Sequence, residues 1–434
     1  MTWVTVGSDE GLKAVATVLG HAQAAPKLPE GLRVELYPLL CGWLWELVKA
    51  DVAIVGGGIM GSALAYWLTR LDPSIGVVVI ERDPTYSMAS SALSAASIRQ
   101  QFTTPVNIRI AQASIGFMRQ ADELLEVAGG SVAIGLQERG YLYLAQPSGL
   151  DALRRAHTIQ RELGSDVALL NATELAARFP WLQTADLIAG SLGLSGEGWF
   201  DGYALLAAFS ARARSQGVTY IRGEVAAMSE NDSRIEWLQL ADGTQVASRF
   251  VVNAAGPWAR SIAKLAGFDL PVAARRRTVY VISCRAKLES FPLLIDPSGF
   301  WIRPEGSGYI AGISPDIDPD DAPLEPDYAA FDAVLWPALA QRIPAFEAAK
   351  LQRAWAGYYE MNLFDHNGIV GFHPRIGNLL LLNGFSGHGI QQAPVVARGV
   401  AELICHGRFV TLDLSDLGYD RIAGNRPLRE LNVI

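Results

Sequence analysis

Three glycines and one carboxylate carry the clearest chemistry in this chain. Gly56, Gly58 and Gly61 stand in the spacing G-x-G-x-x-G, and Glu81 follows about twenty residues later. In that spacing the first glycine permits a tight turn and the second lets the backbone approach a pyrophosphate. The third lets a helix pack closely on a strand. A helix starting there points free N–H groups and the positive end of its dipole at phosphate oxygens. An acid at the distance of Glu81 takes ribose hydroxyls, so the set reads as a site for an adenine dinucleotide.

These residues need particular elements to hold them. Asp51–Val55 is an apolar run that predicts a buried strand, Ser62–Arg70 a helix, and Val77–Ile80 a second strand ending in Glu81. Two more apolar runs lead into glycine loops. Phe250–Asn253 enters a loop holding Gly256 and Trp258. Asn378–Leu382 enters Asn383-Gly-Phe-Ser-Gly-His-Gly389, ahead of a helix near Pro394 to His406. One such turn suffices for a phosphate pair. Three suit a longer flat ligand clamped along its length, which favours flavin adenine dinucleotide over a nicotinamide. A helix start beside the flavin pyrimidine would stabilise the charge that appears on reduction. The small residues of Ser87–Ser97 would let backbone and hydroxyls lie against a flat ring system.

Other elements follow from spacing. Helices are predicted over 105–127, 149–163, 171–179 (capped by Asn171) and 202–216 (capped by Asp201, ended by Gly217). Strands are predicted at 141–145 and 218–222. Residues 224–252 read as a meander and 271–313 as antiparallel strands. The acidic loop Pro315–Pro326 lacks the turn glycine of a calcium loop and reads as solvated, and no metal site is expected.

The chain has 434 residues, 50% hydrophobic and 18% charged, which fits an enzyme with a large core. A net charge of −8 argues against nucleic acid as a partner. Three scattered cysteines, Cys41, Cys284 and Cys405, form neither a disulfide framework nor a zinc site and suit a reducing, cytoplasmic compartment. Residues 1–50 resemble neither a signal nor a transit peptide. They read as an extension of unreadable role, docking a short helix through Trp43, Leu44 and Leu47. No membrane span is expected, because the apolar segment 53–69 is explained as strand, turn and helix.

From about residue 50 onward the sequence resembles the D-amino-acid-oxidase superfamily of flavoenzymes, which includes glycine oxidase and monomeric sarcosine oxidase. The resemblance rests on Ser97-Ile-Arg-Gln-Gln-Phe102, Ala354-Trp-Ala-Gly-Tyr-Tyr-Glu360, Asp365-His-Asn-Gly-Ile-Val370 and Gly384-Phe-Ser-Gly-His-Gly-Ile-Gln-Gln-Ala-Pro394. It implies an α/β fold with a Rossmann-type FAD domain (51–135, 196–266 and 365–434). Into it is inserted an antiparallel-sheet substrate domain (136–195 and 267–364). The implied FAD contacts are Gly56, Gly58, Gly61, Glu81, Arg82, Ser90, Ser91, Val225, Gly256, Trp258 and the loop of Gly384, Phe385, Ser386, Gly387, Gly389 and Ile390.

The departures from the family matter as much. Gly357 stands where sarcosine oxidases carry a tethering cysteine, and no histidine follows Ser90-Ser91, so FAD is expected to be non-covalent. Tyr359 replaces the carboxylate-binding arginine of glycine oxidase, and Gln391 replaces the lysine of sarcosine oxidase. Arg99 and Arg303 then remain as carboxylate anchors through a two-hydrogen-bond fork, with a structural ion pair as the alternative for each. His388 is either a proton shuttle or a fixed hydrogen-bond donor to the flavin. Tyr359 and Trp355 either form an aromatic wall that receives an amine or belong to the core. Arg99, Tyr359, His388 and Gln391 form the expected catalytic set, with Arg303 and Trp355 as further substrate contacts.

The implied reaction is oxidation of a secondary amine or amino acid, its hydrogen leaving as hydride to flavin N5 and the imine then hydrolysing. The alternative is a flavin-containing scaffold with little turnover, which the loss of both familiar anchors favours. The oxygen-activating lysine of sarcosine oxidases aligns with Ile310, and no lysine occurs from Trp301 to Ala349. A dehydrogenase using a quinone or flavoprotein acceptor is therefore expected over an oxidase.

Overall fold

The computed structural model describes residues 34–38, 44–127, 130 and 132–431. Two large sheets organise them. The first takes its strands from residues 34–81, 219–253 and 369–383; the second takes its strands from 141–193 and 272–362.

The centre of the first sheet is a parallel pair, Leu44–Val55 and Gln245–Asn253. Val52, Ala53 and Ile54 are fully buried, as are Val78 and Val79 of the neighbouring strand Val77–Glu81. Strands covered on both faces carry continuous apolar runs, which is why these segments are legible as strands. Val77–Glu81 lies parallel to Leu44–Val55 on one side, and Leu379–Asn383 lies parallel to Gln245–Asn253 on the other. Each long central strand has a second, antiparallel partner along its first half: Val34–Pro38 and Arg234–Leu240 respectively.

The helix Ile59–Leu71 returns the chain between the first two parallel strands, with every residue from Ile59 to Thr69 buried. It packs against Gly202–Ser215 and against Gly389–His406, where the Trp67 indole N–H donates to the Pro394 carbonyl at 2.7 Å. Its approach to the first glycine turn is close: a Cβ on Gly61 would lie 1.9 Å from the Gly56 carbonyl oxygen. Gly56 itself has φ +103°, a conformation L-residues avoid.

The second sheet runs Lys350–Asn362, Val272–Ser283, Gly308–Ile313, Phe300–Glu305, Leu293–Ile295, Tyr141–Ala145, Ala189–Gly193, Val167–Asn171. Leu293–Ile295 and Tyr141–Ala145 are parallel, and the other neighbours are antiparallel. Its two faces divide by strand alternation. Leu142, Leu144, Leu294, Phe300, Ile302 and Tyr280 enter a core with the helix Trp336–Arg342, while Tyr141, Tyr143, Leu293 and Ile295 face the other way.

Local signals are reliable where they are self-contained. Asn171 and Glu174 form a reciprocal capping box, and Asp201 caps Gly202–Ser215. Three expectations need correction. The short helix through Leu44 and Leu47 is absent: both belong to the strand Leu44–Val55, because Val34–Pro38 and Gln245–Asn253 supply its ladder partners. Trp43 lies outside the described residues. The helix expected near Pro394 begins five residues earlier, at Gly389, with Pro394 inside it. The helix over 105–127 stops at Met118, followed by a single turn Ala121–Leu124. Among the described residues no helix is long and apolar enough to cross a membrane.

Candidate active site

Two clefts meet between the sheets, sharing Ile59, Ser90, Ser91 and Glu360 as lining residues. The first, of about 320 Å³, opens over the glycine turn. Gly56, Gly58, Glu81, Arg82, Ser90, Ser91, Val225, Gly256 and Trp258 all line it. Glu81 stands at the strand end, its Oε2 accepting the Gly57 N–H at 2.7 Å and its Oε1 the Asp83 N–H at 2.8 Å. The Arg82 guanidinium lies 3.7 Å from the Trp258 ring centre, a cation–π pair at the cleft wall. Gly61 does not line the cleft. It acts from behind, through its contact with Gly56.

The cleft fits a dinucleotide on three counts. A Cβ on Gly58 would meet only Ser91 Oγ, at 3.6 Å, so that backbone faces open space. The helix Ile59–Leu71 begins there with no acid in its first turn and with Gly58 offering no cap; Ser91 Oγ accepts the Ile59 N–H at 3.1 Å. Ser90 Oγ is buried in the wall without a hydrogen-bond partner, an arrangement that a ligand acceptor or donor would complete.

The second cleft, of about 170 Å³, lies against the second sheet. Arg99, Tyr359, His388 and Gln391 line it together with Ser386, Gly387, Gly389 and Ile390. Arg99 is 2% exposed and held from several sides. Its Nη1 donates to the Gln101 carbonyl at 3.0 Å and to the Tyr143 hydroxyl. Its Nη2 lies 2.8 Å from His388 Nε2, and its guanidinium lies 4.3 Å from the Phe102 ring centre. Burial, with Arg99 and His366 nearby, holds the His388 imidazole well below its ordinary pKa. A neutral ring accepts from the Arg99 guanidinium through Nε2. Gln391 braces the same residue through its backbone, its Oε1 accepting the Arg99 N–H at 2.9 Å.

Tyr359 is half-buried, and desolvation raises its phenol pKa. Its ring lies against the loop so closely that a Cβ on Gly387 would sit 2.4 Å from Cε2. Ser386 takes a left-handed φ of +52°, stabilised as its hydroxyl accepts the Asn362 N–H at 2.9 Å. Gly384 and Phe385 line neither cleft. The Gly384 N–H donates to Glu360 Oε2 at 3.1 Å, and the Phe385 ring fills the space above Gly368.

Two expected substrate contacts are corrected. Arg303 is 4% exposed and lines neither cleft; it donates to the Ala95 carbonyl at 2.6 Å, to the Pro304 carbonyl and to Glu305. Nη1 and Nη2 are thus held by the protein, and the buried Nε has no hydrogen-bond partner among the described residues and no opening to either cleft. Trp355 also lies outside both clefts, its indole N–H donating to the Leu93 carbonyl at 2.9 Å.

Sequence reasoning missed two carboxylates. Glu360 sits where the clefts join; burial pushes its carboxyl up to about 7, against the backbone N–H groups of Gly384 and Phe385. It ends one of the recognisable motifs, but its direction is not readable from the string. Glu197 is fully buried and accepts from the N–H groups of Gln100 (2.7 Å), Gln101 (3.1 Å) and Tyr141 (3.3 Å) and from Gln101 Nε2 (2.9 Å). It fixes the loop that carries Arg99. No local sequence signal links it to that loop, which lies 96 residues away; in the structure a Cβ on Gly193 would lie 1.9 Å from Glu197 Oε2. The acidic loop is latched rather than merely solvated: Asp318 takes both Arg277 nitrogens at 2.8 Å, and Asp320 pairs with Arg275. Among the described residues no group of His, Cys, Asp and Glu is arranged to hold a metal ion.

Known proteins resemble this chain in sequence and in fold. FAD-dependent oxidoreductase domain-containing protein 1 of Xenopus laevis is 42% identical over 424 residues, covering 89% of this chain and 85% of that protein. The crystal structure of L-proline dehydrogenase from P. horikoshii superposes with a TM-score of 0.78 at 26% identity, covering 88% of this chain and 99% of that one. Glycine oxidase from Geobacillus kaustophilus gives a TM-score of 0.74 at 26% identity, covering 85% and 98%. A family model described as FAD dependent oxidoreductase matches residues 51–403. With that span covering both clefts, the chain belongs to the FAD-dependent oxidoreductase family.

Proposed function

We propose that this oxidoreductase oxidises a secondary amine or amino acid and passes the electrons to a quinone or flavoprotein rather than to oxygen. The observation that carries the reading is Arg99: a buried guanidinium, oriented by Gln101, Tyr143 and His388, lining a cleft that shares residues with the dinucleotide cleft. Nη1 has both its hydrogens committed, which leaves Nε and one Nη2 hydrogen as a fork for a carboxylate.

FAD would be held by the glycine turn, Glu81, Ser90, Ser91 and Trp258, and supplies the two-electron acceptor when bound. The protein's part is placement. Arg99 fixes the acidic end of the substrate, and Tyr359 with the Gly387 backbone forms the wall beside its amine. The buried walls exclude water from the reacting C–H bond. Most of the rate then comes from orientation, for which effective molarities reach about 10⁵ M or more. A scaffold without turnover would have no need of a guanidinium braced on this many sides.

Arg99→Lys tests the anchor, because lysine keeps the charge and loses the fork. Substrate affinity is expected to fall about tenfold or more, corresponding to about 1.5–3 kcal/mol for a charged hydrogen bond, with FAD retained. Flavin reduction kinetics unchanged by the substitution would show Arg99 to be structural.

The acceptor preference rests on the absence of a lysine from the lining of either cleft and on Ile310, 2% exposed and outside both. A fixed cation near the flavin speeds the first electron transfer to oxygen by stabilising superoxide. Stopped-flow reoxidation of the photoreduced protein is expected to be slow in air and fast with a soluble quinone. Equal rates would make it an oxidase.

A further inference from the structure

The face of the second sheet that looks into the second cleft is paved in a single row. Ile295 pairs with Tyr143 on one side and with Trp301 on the other, and Trp301 pairs with Gly312. Tyr280 opposite Ala311 places Val279 beside Gly312 on the next strand. Cross-strand neighbours share a face, and Ile295, Trp301 and Val279 all line the cleft. Gly312 has no side chain for a visible reason. A Cβ there would lie 2.6 Å from Trp301 Nε1, so the indole lies across that position and closes the row.

The row spans three strand intervals, about 14 Å at the usual spacing of about 4.8 Å. It has a direction. One end abuts Tyr143, whose hydroxyl receives Arg99. Arg277 also lines the cleft, but its charge is matched by Asp318, which accepts Nη1 and Nη2 at 2.8 Å each. A substrate gripped by Arg99 therefore meets apolar surface next to its carboxylate, and the other guanidinium lining the cleft already holds a carboxylate.

We propose that the second cleft selects amino acids carrying one carboxylate and one large apolar substituent, aryl or branched alkyl, laid along Ile295, Trp301 and Val279. The proposal rests on the amine-oxidation reading for its substrates but not for its binding site. Sarcosine-sized molecules would leave the row uncovered, and acidic side chains would be desolvated on it without a partner.

The test uses the FAD-bound protein with unreactive probes first. Acetate, succinate and phenylacetate are titrated against the flavin absorbance spectrum. Phenylacetate is expected to bind about tenfold or more tightly than acetate, as burying an aromatic ring predicts, with succinate no better than acetate. Trp301→Ala should cut that preference to about threefold or less. Val279→Thr, close to isosteric, should reduce it in the same direction even if the larger change fails to fold. Succinate binding as tightly as phenylacetate, or acetate doing so, overturns the proposal.

Anaerobic flavin reduction by N-methylglycine, N-methylaspartate and N-methylphenylalanine (both enantiomers of each chiral compound) then separates the two readings. N-methylphenylalanine reducing fastest supports both. Phenylacetate preference without bleaching by any amine supports the apolar row and overturns amine oxidation. Bleaching led by N-methylglycine or N-methylaspartate supports amine oxidation and overturns the row.

Discussion

Gly61→Ala is expected to lower the stability of the apoprotein by about 1–3 kcal/mol, the usual range for overpacking, and to abolish tight FAD binding. The added methyl would stand 1.9 Å from the Gly56 carbonyl oxygen, far inside contact distance, so helix and turn must separate. Gly58→Ala provides the contrast. Its methyl meets only Ser91 Oγ at 3.6 Å, so apoprotein stability is expected to stay within about 0.5 kcal/mol, typical of a change that strains nothing. FAD affinity should still fall about tenfold or more if the pyrophosphate lies against that backbone. Thermal unfolding of both apoproteins and FAD titrations separate the two roles. Equal effects of the two substitutions on apoprotein stability would show that the glycines do not divide the work in this way.

Arg421→Ala is expected to cost about 3–5 kcal/mol, the range for breaking a buried ion pair by removing one partner. Asp365 has no exposed side-chain surface and receives Arg421 Nε at 2.7 Å and Nη2 at 3.0 Å. The same carboxylate accepts the Leu428 N–H and the Asn362 amide, while Arg421 also donates to the Asn367 and Leu417 carbonyls. Without the guanidinium a charge stays buried among amides. Urea unfolding measures the loss, and Asp365→Asn in the Arg421→Ala background should recover part of it. A loss below about 1 kcal/mol would mean that the amide donors alone satisfy Asp365.

These two sites differ in how far the sequence discloses them. The first glycine turn is legible because its strand, turn, helix and acid lie within thirty-odd residues and each obeys a local rule. Asp365-His-Asn-Gly is recognisable as a string, yet its partner Arg421 lies 56 residues away, and no periodicity links them. Arg99 is picked out by its position after the small-residue tract. Its braces are not, since Tyr143 and His388 come from other segments. Arg303 looks equivalent to Arg99 because a sequence shows a guanidinium but not whether it faces a cleft. Residues 44–50 mislead for a related reason. Trp43, Leu44 and Leu47 have helical spacing, but strand pairing with residues two hundred positions away decides the outcome.

The first cleft draws its walls from around Gly58, Ser90, Val225, Trp258 and Leu382, and the ties Trp67 to Pro394 and Arg99 to Gln391 span 327 and 292 residues. Contacts closed over such separations form late, after most loop-closure entropy has been overcome. Flavin can then be captured only by a chain that is nearly finished, and its capture feeds back on survival. A ligand present at 100 times its Kd adds about 2.7 kcal/mol to the folded state. Cellular flavin supply thereby becomes a determinant of how much of this protein persists, independent of any reaction it performs.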